Sequence, residues 1–338
     1  EYTLRPDHAL NLNLYGTGTW QQPHNELMDR SLGYPGNFDS RLTALTTGLS
    51  YEAFFFDRRL QTAVTAKHFL IGSRAKMLHN FYLRDIKTIH INRSEWGANF
   101  AACYRITPLW TVKGSVASEV RIPTSEELLG NSFNILPSPD LLPERNKSVN
   151  AGVLYRRSFS DDRVWEAEVN VYMSELTDMV RFTPDLLPTM ARYTNFGQVR
   201  TMGIEAEIKA DVTRWCYLYA NGTWQDLRDR RRTFPNSKAP NPTYDLRIPN
   251  IPYLMANFGG ELHWADLFGR RQNTRLLLDA SYVHRYSYDF EMGAYLEKLI
   301  PTSLTFDAAI EQSFANRRWT LTLKVKNLAD RETVSEFN

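Results

Sequence analysis

Cations set among aromatic rings are the feature of this sequence best suited to chemistry. Arg230, Arg231 and Arg232 stand beside Phe234 in a stretch, residues 226–250, whose six cations and three aspartates leave a net charge of +3. A second stretch, 73–87, carries Arg74, Lys76, Arg84 and Lys87 against Asp85, again +3, with Phe81 and Tyr82 between the charges. Guanidinium groups pair with carboxylate or phosphate and stack on rings. Either stretch therefore suits capture of a bulky anionic or aromatic solute, and equally contact with an anionic surface.

The other reactive side chains show no catalytic spacing. The seven histidines have no metal-ligand pattern. Cys103 and Cys216 form neither a metal site nor a disulfide framework, and read as two packed thiols. There is no glycine-rich phosphate loop and no G-x-S-x-G elbow. Glu205 and Glu207 lie two residues apart on one face of a strand, as paired-carboxylate catalysis would want, but a wall in contact with water accounts for them equally. Nothing asks for a cofactor, and a net charge of +2 gives no sign of a nucleic-acid partner.

The elements that must hold these residues are strands. From Val199 the chain alternates: Thr201, Glu205, Glu207, Lys209 and Asp211 point one way, while Met202, Ile204, Ala206, Ile208, Ala210 and Val212 point the other. The same alternation recurs in Leu10, Leu12 and Leu14, in Trp165, Ala167, Val169 and Val171, in Leu254 to Trp264, and in Trp319 to Val325. Thirteen such strands are predicted, with no helix of ordinary length and no domain linker. A half-buried strand of a soluble sandwich alternates in this way, and so does a strand of a membrane barrel, apolar toward lipid and polar toward a watery lumen.

The connections separate the two. Short turns are predicted near residues 57, 107, 160, 211, 266 and 316, and longer loops near 23, 73, 122, 183, 226 and 287. Short periplasmic turns alternating with longer extracellular loops mark outer-membrane barrels. Rings gather near strand ends (Trp20, Phe54, Trp110, Trp215, Trp264, Trp319), where interface girdles belong. The mean hydropathy of −0.43 excludes a helical membrane protein but not a barrel. The fold class expected is all-β, an antiparallel transmembrane β-barrel, with the longer loops facing lipopolysaccharide at the cell surface.

Three segments then carry a resemblance: VRIPTSEELLG with PDLLPERNKSVNAGV at 120–130 and 139–153; N-x-G-x-x-x-x-x-G-I-E-x-E from Asn195 to Glu207; and LKVKNLADRET at 323–333. In this order they resemble the C-terminal barrel half of TonB-dependent outer-membrane receptors. Ala329 and Thr333 stand where that family usually has aromatic residues. The resemblance implies a barrel of about 22 strands around a plug, and import powered by TonB and its inner-membrane complex. Residues 1–338 would then be the C-terminal portion of the barrel domain, with the plug, the earlier strands and the last strand outside this sequence. The substrate expected is a scarce small molecule or glycan of the siderophore, haem, cobalamin or glycan class. The alternatives are a passive outer-membrane channel and a barrel-embedded hydrolase; the resemblance itself implies a transporter and not an enzyme.

Overall fold

Alternation over ten or more residues specifies a strand and also which way each side chain points, because a one-residue slip would exchange the two faces. The computed structural model describes residues 2–22, 39–80, 85–131, 135–184, 191–233, 239–288 and 299–332. The first half holds β1 (Tyr2–Arg5), β2 (His8–Gln21), β3 (Ser40–Phe55), β4 (Leu60–Asn80), β5 (Asp85–Arg105), β6 (Trp110–Arg121), α1 (Ser125–Leu129), β7 (Ile135–Leu136), β8 (Glu144–Ser158) and β9 (Val164–Thr177). The second holds β10 (Val180–Pro184), β11 (Ala191–Asn195), β12 (Val199–Thr213), β13 (Cys216–Asp229), β14 (Leu254–Ala265), β15 (Asn273–Val283), β16 (Tyr286–Ser287), β17 (Leu299–Ile300), β18 (Ser303–Phe314) and β19 (Trp319–Val325).

Fourteen strands form one sheet in chain order, β1-β2-β3-β4-β5-β6-β8-β9-β12-β13-β14-β15-β18-β19. The thirteen expected strands are all there, and the four-residue β1 precedes them. The remaining short strands form two small sheets, β10-β11-β7 and β16-β17. Successive connections of such a meander fall on opposite edges. The short turns are residues 56–59, 106–109, 159–163, 214–215, 266–272 and 315–318.

One connection departs from expectation. The predicted loop at 73–87 is mostly strand: β4 runs on to Asn80 and β5 begins at Asp85, with Ser40 opposite Ala75 and Arg41 opposite Arg74. The backbone ladder holds there although the side chains no longer alternate apolar with polar. Of the residues proposed above for solute capture, Phe81, Tyr82 and Phe234 lie outside the described residues.

Contacts divide the chain into two units, residues 1–102, 115–149 and 174–199 in one, and 103–114, 150–173 and 200–338 in the other. In the first, α1 starts with a capping box between Thr124 and Glu127 and ends at Gly130, whose φ of 70° favours glycine. Its Leu128 and Leu129 pack with Leu141, Leu42, Ile71 and Ala75, and Val180 and Tyr193 border the cluster. In the second, side chains line up across strands by register. Ala220, Phe258, Ala280 and Phe306 form one row, and Leu218, Gly260, Leu278, Ala308 and Val325 another. Leu278 is 51% and Trp319 74% exposed, with Ile204, Ile208, Phe258 and Leu323 also open. A contiguous apolar face of this extent needs a covering, which hydrocarbon would provide in the membrane barrel expected from the sequence.

The opposite face is polar and cross-linked. Arg275 bridges Glu261 on one side at 2.5 Å and Glu311 on the other at 3.4 Å. Lys209 pairs with Glu207 at 2.7 Å, and Lys113 with Glu168. The paired carboxylates Glu205 and Glu207 thus line a polar wall. Tyr172 lies over Gly203, where an added Cβ would come within 2.5 Å of the phenolic oxygen. Cys103 and Cys216 are free thiols.

Candidate functional site: the arginine-rich strand ends

On β13 the apolar face carries Leu218, Ala220, Gly222 and Trp224, and then changes character. Asp226 and Arg228 follow at the same alternate positions, so the apolar band ends at Trp224 and an ionic rim begins. The chain returns beside this end: Asp229 N–H donates to Leu246 O at 3.0 Å and Ile248 N–H to Leu227 O at 2.9 Å. That pairing sets Arg247 opposite Arg228.

Three aspartates hold the rim. Asp226 receives Arg228 at 2.6 Å and Arg247 at 2.7 Å. Asp245 receives Arg230 at 2.5 Å, with Arg228 at 3.6 Å and Arg200 at 4.0 Å. Asp229 has a fully buried side chain; it accepts from Arg231 at 2.5 Å, Thr243 at 2.7 Å and Asn241 at 3.0 Å. Burial pushes the Asp229 carboxyl up, but the Arg231 guanidinium, the Thr243 hydroxyl and the Asn241 amide outweigh it and hold the pKa below the usual carboxylate range. Asp226 behaves likewise, with Arg228 and Arg247 overcoming its burial. Arg247 lies over the Tyr253 ring at 4.3 Å, and Arg230 over Tyr244 at 5.2 Å. A cavity of about 470 Å³ opens between Arg228, Arg247, Tyr253, Arg285 and Tyr286.

The dense cation cluster of the sequence is therefore divided in the structure. Arg231 closes a buried latch with Asp229, Arg230 turns to Asp245, and Arg232 is exposed. The donors Thr243 and Asn241 carried no signal in the sequence, because a short polar side chain in a loop looks the same whether buried or solvated.

In the first unit, Arg121 at the end of β6 is clamped between Glu144 (Nε to Oε2, 2.7 Å) and Glu127 (3.0 Å). Glu144 also accepts the Val180 N–H at 2.6 Å. It begins β8, beyond the exposed Val149 and Val153. Burial pushes its carboxyl up, and Arg121 and the Val180 amide bring it below the usual range. Asn195 ties the neighbouring loop with donors to Leu142 O at 3.0 Å and Asp178 O at 2.7 Å. A cavity of about 270 Å³ on the polar face is lined by Lys67, Asn99, Glu119, Arg121, Glu144 and Asn146. There the Asn146 Oδ1 is buried without a hydrogen-bond partner among the described residues. Arg74 is exposed on β4, opposite Arg41, which lies over the Trp20 ring at 5.1 Å.

Among the described residues no cluster of His, Cys, Asp or Glu could hold a metal ion, and no helix is long and apolar enough to cross a membrane. No curated protein matches the sequence. Solved structures with a similar fold include the FrpB iron transporter from Neisseria meningitidis (11% identity, 97% of this chain and 49% of that one, TM-score 0.70). The copper transporter OprC aligns at 14% identity over 98% of this chain and 49% of that one, TM-score 0.72. The hemophore receptor HasR of Serratia marcescens, solved with its hemophore HasA and heme, aligns at 13% over 99% and 55%, TM-score 0.68. The chain spans about half the length of these proteins. The family model of the TonB-dependent receptor-like β-barrel matches residues 4–328. The chain belongs to the β-barrel family of the TonB-dependent receptors of the outer membrane.

Proposed function

We propose that this chain is the C-terminal part of the barrel of a receptor that imports a scarce nutrient, of the siderophore, haem, cobalamin or glycan class, with energy delivered by TonB through an upstream plug. The observation that carries this reading is the family match over almost the whole chain. The share of the solved relatives left uncovered has room for a plug and for earlier strands. The names of those relatives, transporters and receptors for iron, copper and heme, support a small-molecule cargo.

Solute capture falls to the exposed cations of the loops in this proposal, Arg232 with Phe234 and the segment that includes Phe81 and Tyr82. Arg230 and Arg231 support it by fixing the loop, and Arg74 stands at the strand that leads to it. Charged loops steer an anionic solute at long range, within a screening length of about 8 Å at physiological salt. The test is uptake by cells carrying the full-length protein, with ferric siderophores, haem, cobalamin and oligosaccharides offered in turn, with TonB present and deleted. Accumulation that needs TonB supports the proposal. Accumulation that persists unchanged without TonB would mean a passive channel.

A further inference from the structure

The polar face of the first unit is hollow at one place. On β4, Thr65, Lys67 and Phe69 alternate with Val64 and Leu70, which are exposed on the apolar face, so the first three belong to the polar one. Gly97 on β5 adjoins them: an added Cβ there would lie 3.3 Å from Ser118 O and 3.7 Å from the Phe69 ring. The missing side chain helps to leave the cavity of about 270 Å³ into which Lys67, Phe69, Asn99, Glu119 and Asn146 are set. At its edge Arg121 and Glu144 hold each other at 2.7 Å. Lys67 and Glu119 take part in no ion pair among the described residues. Asn146 Oδ1 is buried without a hydrogen-bond partner among them. Two cations and two carboxylates line the cavity, so it carries no net charge.

We propose that this pocket binds one neutral sugar ring of the imported solute. The inference rests on the import reading and narrows its cargo to a glycan or a glycosylated molecule. A lining without net charge offers an anion no surplus to bind. It does offer both kinds of hydrogen-bonding group: Lys67 donates, Asn146 Oδ1 and Glu119 accept, and the Asn99 amide does both. A hydroxyl also donates and accepts, so a polyol satisfies all of these groups at once. A buried acceptor left unmade is costly, so an occupant that donates to Asn146 gains by it. Phe69 supplies apolar surface for the C–H side of a sugar ring, whose hydrogens suit the electron-rich face of an aromatic ring. The volume lies just under the roughly 300 Å³ at which small-molecule pockets begin, room for one ring and not for an oligosaccharide.

The test is saturation-transfer NMR on the full-length protein in an amine-oxide detergent, which carries no sugar of its own. The probes are glucose, galactose, N-acetylglucosamine, maltose and chitobiose, each with and without excess citrate as an anionic competitor. Expected is binding of at least one of these sugars, undiminished by citrate and weakened about tenfold by Asn146→Leu and by Phe69→Ala. Lys324→Ala, in the other unit, should bind as the parent does. Asn146→Leu removes an unpaired acceptor, so its melting temperature should hold or rise while binding falls; a purely structural role would lower both. Where Phe69→Ala fails to fold, Asn146→Leu and Glu119→Ala, the latter at an exposed residue, decide. Absence of binding by every sugar of the panel overturns the proposal, as does binding untouched by these two variants. Displacement by citrate overturns it in favour of an anion site. Binding is read without TonB, so TonB-dependent uptake of another cargo with no sugar bound would remove the pocket and leave the import reading standing.

Discussion

The Tyr219 hydroxyl on β13 donates to Asp279 Oδ1 on β15 at 2.7 Å, spanning the strand between them at Gly259. A Cβ on Gly259 would sit 2.5 Å from Leu278 O and 2.9 Å from the Tyr219 ring, so the absent side chain is what lets the tyrosine lie flat. Gly259→Ala should lower folding yield and thermal stability, because the obstructing atom is backbone and cannot rotate away. Tyr219→Phe keeps the ring and loses one hydrogen bond, at a cost of about 1–2 kcal/mol. Equal stability of Gly259→Ala and the parent in a detergent melt would refute the packing argument.

Face assignment makes a sharper contrast between neighbours. Ile204 is exposed on the apolar face and Glu205 alternates to the polar wall. Arginine at a lipid-facing position near the midplane costs about 2–4 kcal/mol. Ile204→Arg should therefore impair insertion while Glu205→Gln leaves it intact. The check is the folded, heat-modifiable fraction of each variant after refolding into bilayers; matching fractions would reject the assignment.

Asp229 predicts a pH effect. Its folded pKa lies below the unfolded value of about 3.9. The carboxylate therefore contributes stability that is full above that value and is lost as pH falls through the lower folded pKa. Asp226 adds in the same direction. A series of melts from neutral pH down to strongly acid conditions should show stability dropping below about pH 4. Asp229→Asn should be less stable at neutral pH and flatter across that window. A parent profile as flat as that of the variant would rule out the latch as a source of acid sensitivity.

What the sequence revealed and what it hid have physical reasons. Strands such as β12 and β19 were legible because lipid on one side and water on the other impose a strict period of two, as Met202 to Val212 and Trp319 to Val325 display. The rim was not legible, because beyond Trp224 the alternate positions turn ionic, and beyond Leu70 the apolar positions move to the other face at Ile71 and Ala75, so the earlier pattern breaks while the backbone ladder continues. Arg74 thus looked like a loop residue and is a strand residue paired with Arg41. The clamp of Arg121 on Glu127 and Glu144 was visible only as a family-like motif, since its partners are 6 and 23 residues away. The roles of Arg230 and Arg231 depended on aspartates at 245 and 229 whose burial only folding creates.

That burial also decides how solute capture is to be tested. Removing Arg230, Arg231 and Arg232 together would mix two effects. Arg231→Ala leaves the fully buried Asp229 without its guanidinium, and breaking a buried pair costs about 3–5 kcal/mol, enough to loosen the loop whatever the solute. Arg232 is exposed, so Arg232→Ala removes charge with little effect on folding. If the loop draws in an anionic solute, Arg232→Ala should slow uptake at low ionic strength and approach the parent at high salt, where charges beyond a few ångströms are screened. Surface levels of the receptor should match the parent throughout. Uptake by Arg232→Ala equal to the parent at low salt, with normal surface levels, would remove this loop from the capture step.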